Sequence, residues 1–137
     1  MSTKIFVNLA VKDLKRSQEF FTKLGYSFNH QFTDENAACL VISEDIYAML
    51  LLPEFFKKFT KKEIADTSAT IESTIALSAD SRKEVDDIAD KALEAGGKEV
   101  RAPDDQGWMY SRSFEDLDGH QWEVIWMDQN KIQNSHV

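Results

Sequence analysis

Glu123 is the residue whose setting most invites chemistry. It lies in the run Phe114-Glu115-Asp116-Leu117-Asp118-Gly119-His120-Gln121-Trp122-Glu123-Val124-Ile125-Trp126. The run reads as strand, tight turn, strand. Asp118-Gly119 is the turn signal, because Gly takes positive φ freely and Asp tolerates it. After the turn, Trp122, Val124 and Trp126 fall on one face, and Gln121, Glu123 and Ile125 on the other. The Trp/Val/Trp face is too apolar for water and predicts helix packing, which sends Glu123 to the opposite face. An in-register pairing across the turn puts Arg112 on the face of Glu123, directly opposite or one diagonal step away. A guanidinium beside a carboxylate forms a forked hydrogen-bonded pair. Such a pair either neutralises a buried acid, or Arg112 reads an anionic or carbonyl oxygen of a ligand while Glu123 accepts from a donor.

Other reactive residue types have plainer settings. Cys39 lies in an apolar strand run with no His-Asp partner set, which reads as inert core. Tyr47, Tyr110 and Trp108 could stack on an aromatic ligand or serve as ordinary strand aromatics. Asp104-Asp105-Gln106-Gly107 either rims a cavity or is a solvated acidic loop. Gly96-Gly97 stops a helix, since no Gly-rich phosphate fingerprint surrounds it. Lys57, Lys58, Lys61 and Lys62 read as a solvated helix face.

The elements that position these residues follow from periodicity. Ile5 to Val11 alternates as a buried strand. Asp13 caps a helix with Leu14, Phe20, Phe21 and Leu24 at helical spacing, and Gly25 ends it. Tyr26 to Phe32 alternates like a strand at or near an edge. Ala37 to Ile42 and Ile46 to Leu52 are further strands, the second stopped by Pro53. Residues 53–70 form a connector, with Phe55, Phe56, Phe59 and Ile64 among four lysines. It is read as an amphipathic helical turn or two whose Phe residues dock on the core, in preference to a mobile lid. Then the pattern returns: strand Thr74 to Ala79, a helix capped by Asp80 or Ser81 with Val85, Ile88, Ala89, Ala92 and Leu93 on one face, Gly96-Gly97, a short strand Lys98 to Arg101, a loop, and the hairpin Trp108 to Phe114 with Gln121 to Met127.

Strand, capped helix and Gly stop thus occur twice, with a period near half the chain. The organisation is α+β: a first βαβββ module over residues 1–52, the 53–70 connector, a second module over 71–128 and a polar tail over 129–137, in one structural domain. One helix per module leaves one face of each set of strands free. Side-by-side modules would curve a joint sheet around a cleft lined by Phe6, Asn8, Tyr47, Met49, Thr74, Tyr110, Arg112 and Glu123. That mixture of apolar walls and a few polar groups is what a small-molecule site needs.

Composition bounds the partners. The chain has 137 residues and a formal net charge of −8. That balance disfavours nucleic acid and anionic membrane surfaces as general partners. A single cysteine allows no intramolecular disulfide and fits a reducing compartment. With no apolar run of signal-peptide or membrane-span length, the expectation is a cytoplasmic protein.

Paired βαβββ modules with this punctuation resemble the vicinal oxygen chelate superfamily: glyoxalase I, bleomycin-resistance proteins, extradiol dioxygenases, epimerases and fosfomycin-resistance enzymes. The resemblance runs to about Met127. It is carried by the strand-to-helix opening Val11-Lys12-Asp13-Leu14-Lys15-Arg16-Ser17-Gln18-Glu19-Phe20-Phe21-Thr22-Lys23-Leu24-Gly25-Tyr26. It is carried as well by Asp116-Leu117-Asp118-Gly119 followed by Glu123, with Leu117 where the family usually has Pro. The resemblance implies a homodimer and, in catalytic members, four His or Glu metal ligands. Carried over, those positions fall at Phe6, about Met49, Thr74 and Glu123. Only Glu123 suits a hard cation. His30, His120 and His136, at a strand, a turn and the tail, lie off the cleft face. The expectation is a metal-independent small-molecule binding or resistance protein with no cofactor, a divalent metal being disfavoured. The alternative is a metal-dependent lyase or dioxygenase of the glyoxalase I or extradiol type.

Overall fold

A computed structural model describes residues 2–130, and the chain divides into two compact units, Met1–Thr70 and Ile71–Val137. The histidine at 136 and most of the predicted polar tail lie outside the described residues.

The first unit contains β1 (Ile5–Ala10), α1 (Leu14–Lys23), β2 (Ser27–Asn29), β3 (Ala37–Val41), β4 (Ile46–Leu51) and the single turn α2 (Pro53–Phe56). Its sheet order is β1-β4-β3-β2, with β1 parallel to β4 and the other pairs antiparallel. The Asp13 carboxylate accepts from the Arg16 N–H and so caps α1. Leu14, Phe20 and Phe21 are buried on the inner stripe of α1, which packs on β2, β3 and β4. Beneath it Leu9, Leu50 and Ala38 sit side by side on neighbouring strands. The strand expected over 26–32 stops at Asn29. There the Asn29 carboxamide accepts from the Gln31 N–H, and His30–Phe32 turn as one 3-10 helix. Side-chain capping at Asn29 outcompetes the alternating pattern.

The second unit contains β5 (Thr74–Ser78), α3 (Arg82–Glu94), β6 (Lys98–Glu99), β7 (Asp104–Asp105), β8 (Met109–Glu115) and β9 (Gln121–Met127). The order is β5-β9-β8-β6, with β7 also paired to β8 and β5 parallel to β9. The first and last strands of each unit are therefore parallel neighbours, as a duplicated βαβββ plan requires. Of the two candidate caps, Ser81 is the one that accepts, from the Glu84 N–H, and the Glu84 carboxylate accepts from the Asp80 N–H. Both helices end alike. Gly25 and Gly96 take φ of 104° and 107°. The next N–H, of Tyr26 or Gly97, donates back to the carbonyl of Phe21 or Ala92. This six-residue closure needs a left-handed residue, which is why Gly stands at both stops.

Candidate functional site

In the first unit the face away from α1 carries Phe6, Asn8 and Ala10 from β1, beside Tyr47, Met49 and Leu51 from β4. Phe6 and Tyr47 stack with centroids 4.8 Å apart, and Tyr47 donates to the Glu44 carbonyl at 2.8 Å. Further along, Asn8, Met49 and Leu51 form the floor of a cleft of about 500 Å³. Its other wall is the connector: Phe55, Phe56, Phe59 and Thr60. Pro53 starts this turn, and Phe55 meets Phe59 edge to face at 5.3 Å. Phe55 and Phe56 of the connector are half-buried and, with the exposed Phe59, wall a cleft, which reading them as plain core packing did not anticipate. The available signal was the Phe55-Phe56-Phe59 spacing directly after a strand whose free face is apolar.

Cys39 is opposite Met49 on the same sheet face and is buried, and burial pushes its thiol pKa up. A thiol held protonated is a poor nucleophile, consistent with inert core.

The second unit distributes the expected residues differently. Glu123 lies on the open face, in register with Ala76 and Ser113. Its partner is Arg101, at 3.1 Å, not Arg112. Thr74 is exposed on the same face beside Gln121. Arg112 is paired with Val124, and Tyr110 with Trp126, so both point to the helix side. There Arg112 donates to Asp86 at 3.2 Å and Asp90 at 2.7 Å. Tyr110 donates to Asp86 at 2.6 Å, and that hydrogen bond, with burial, raises its phenol pKa. The expectation that Arg112 and Tyr110 line the cleft face is thus corrected. The cause is turn length. A two-residue turn at Asp118-Gly119 would place Arg112 and Glu123 on one face. Instead five residues, Asp116 to His120, separate the paired Glu115 and Gln121. The one-residue slip turns every β8 side chain over. Asp116 closes this longer turn: one carboxylate oxygen accepts from the Asp118 and His120 N–H groups, the other from the Trp122 indole at 2.9 Å.

The slip also brings Ser111 and Ser113 to the open face, both buried, and neither hydroxyl has a hydrogen-bond partner among the described residues. On the helix side, Arg82 is forked onto Asp105 at 2.7 and 2.9 Å and stacks over Tyr110 and Trp126. The Arg82 guanidinium holds the Asp105 carboxyl down to about 2.

Arg112 therefore belongs to the α3–β8 junction. Its side chain is 13% exposed, but Asp86 and Asp90 are 44% and 60% exposed, so solvent screens the pairs. Arg112→Met lowers stability by about 1 kcal/mol in chemical denaturation and leaves ligand affinity at the first-unit cleft unchanged. A loss of affinity without a loss of stability would contradict this placement.

The four positions to which the resemblance carries metal ligands do not fit a hard divalent ion. Phe6 is a stacked ring, Met49 a thioether, Thr74 a neutral hydroxyl, and Glu123 a carboxylate already paired with a guanidinium. Among the described residues no group of three or more His, Cys, Asp or Glu is placed to hold a metal ion.

Two βαβββ units, each with one helix covering one sheet face, define a duplicated α+β class. The chain belongs to the Glyoxalase/Bleomycin resistance protein/Dioxygenase superfamily, whose sequence profile matches residues 5–124. No curated protein matches it. Among solved structures it is similar to a hypothetical protein from S. aureus at 27% identity and a TM-score of 0.77, covering 92% of this chain and 94% of that one. A family enzyme from Burkholderia phytofirmans is 14% identical with a TM-score of 0.75, covering 92% and 99%. The fosfomycin resistance protein FosX from Mesorhizobium loti is 16% identical with a TM-score of 0.69, covering 97% and 98%. The last two show the fold alone. No helix among the described residues is long and apolar enough to cross a membrane.

Proposed function

We propose that this protein is a small-molecule-binding member of the family, of the sequestering or resistance kind, working without a resident metal ion. One observation carries the reading. The first-unit cleft is walled by three Phe rings, Met49 and Leu51, with Asn8 and Thr60 as its polar groups; none of these side chains is an acid or a base, and two neutral oxygens are too few to hold a hard cation. Such a site binds by burying apolar area and orients its guest through a carboxamide and a hydroxyl. Lyase or dioxygenase chemistry of the family type would need metal donors that Phe6, Met49 and Thr74 do not offer. A homodimer, common among relatives, belongs to the same proposal and predicts twice the chain mass in light scattering.

The test joins a thermal-shift screen of aromatic small molecules to elemental analysis after dialysis against Mn, Fe(II), Ni and Zn. A ligand at about 100 times its Kd adds about 2.7 kcal/mol of stability. The expected hit stabilises the native protein but not Met49→Arg, and metal stays well below one per chain. Near-stoichiometric metal that is lost in Glu123→Ala would overturn the proposal.

A further inference from the structure

We infer that the first-unit cleft selects amphiphilic anions: small molecules with an aromatic or aliphatic body and one negatively charged group. This deepens the binding reading above and rests on it. The body is specified by the Phe55, Phe56, Phe59, Met49 and Leu51 walls. The charge is specified by what borders them. Residues 57–62 read Lys-Lys-Phe-Thr-Lys-Lys, four cations and no acid, in a chain of net charge −8. Phe59 and Thr60 of this segment line the cleft itself. Lys58 extends over the ring of Phe55, its Nζ 5.5 Å from the centroid, so one ammonium is held against the cleft wall. The four lysines are exposed, as are the flanking acids Glu54 and Glu63. Asp66 is already engaged by Ser68 and lies in the field of Lys12.

An acidic protein repels anions over most of its surface, so a run of four cations bordering its apolar cleft in sequence, with Lys58 held over the Phe55 wall, discriminates between ligands. The anionic head would sit at the Lys58 side. Asn8, with both a donor and an acceptor, serves a second polar group deeper in the cleft. Thr60 accepts from the Lys62 N–H at 3.1 Å and keeps its own proton to donate.

The test uses two probes with the same ring skeleton and different charge: 1-anilinonaphthalene-8-sulfonate, an anion, and N-phenyl-1-naphthylamine, which is neutral. Both are titrated by fluorescence into the native full chain at low and high salt. The expected result is one site per chain for each, with the anion bound about fivefold more tightly at low salt. That margin corresponds to roughly one screened charge contact, and it shrinks at high salt. Lys58→Glu abolishes the margin while leaving the neutral probe unchanged, and Lys58→Gln halves it or more. Equal binding of the two probes, unaffected by Lys58→Glu, would overturn this inference and leave the cleft reading standing. Anion binding that persists undiminished in Met49→Trp, which fills the cleft without adding charge, would place the anion elsewhere and also overturn it. Binding of neither probe would remove the cleft reading and this inference with it.

Discussion

Asp116→Ala lowers the unfolding free energy by about 3 kcal/mol, the sum expected for one buried indole N–H left unpaired and two turn N–H groups losing their acceptor. Asp116 is buried, and three donors converge on its carboxylate. Trp122, whose Nε1–H is one of them, is 1% exposed and cannot turn to water. Burial raises the Asp116 pKa, with the His120 charge and the Trp122 hydrogen bond opposing. The sign follows from linkage. A carboxyl whose folded pKa lies above its unfolded value favours the folded state at low pH and loses that advantage as pH rises through the folded pKa. Asp116→Asn therefore flattens this part of the pH–stability curve. It keeps an oxygen for the two backbone donors and sets an amide against the indole in the other position. Denaturant midpoints across pH 3 to 8 check both statements. An Asp116→Ala midpoint equal to the parent's would mean that the carboxylate does not hold the turn.

Phe20→Ala is expected to be the more damaging change, at about 4 kcal/mol, because it empties a ring-sized volume that the close-packed core cannot refill. Phe20 is 1% exposed and meets Phe21 edge to face at 5.0 Å, where α1 lies on β2, β3 and β4. The chain carries its own reporter. Cys39 is the single cysteine, is buried in β3, and has a thiol held protonated by burial. Its reaction with a thiol reagent requires opening of the first unit. A 4 kcal/mol loss raises the open population about a thousandfold, so labelling of Phe20→Ala accelerates by about that factor. Labelling within tenfold of the parent would show that Cys39 is reached by a local route and that the core argument is wrong for this site.

The two predictions bear on different levels of the fold. Phe20 was legible in the sequence: helical spacing from Leu14 through Leu24 and the Asp13 and Gly25 boundaries name both the helix and its buried face. The duplicated βαβββ plan was legible for the same reason, since periodicity and punctuation are local. Trp122 and Val124 under a helix followed from alternation alone, and Cys39 as core followed from its residue type in an apolar run. Asn8, Phe6 and Tyr47 also came to one face as read, because β1 and β4 lie next to each other without a slip.

What the sequence could not decide was anything that depended on register or on a partner far along the chain. Asp118-Gly119 signals a turn but not its length. The five-residue turn closed by Asp116 moves Arg112 and Tyr110 to Asp86 and Asp90 on α3, and leaves Glu123 to Arg101. Glu123 and Arg101 are 22 residues apart, and no local pattern links them. The cleft depends likewise on where the connector settles. Phe55, Phe56 and Phe59 are apolar in any conformation, but only their position over Asn8, Met49 and Leu51 makes a cavity. Types and spacings of residues therefore determined both helices, most strands and the family, but neither where the strand after α1 ends nor which face of β8 is buried. Tertiary structure decided which side chains meet, because a single residue of register exchanges the two faces of a strand.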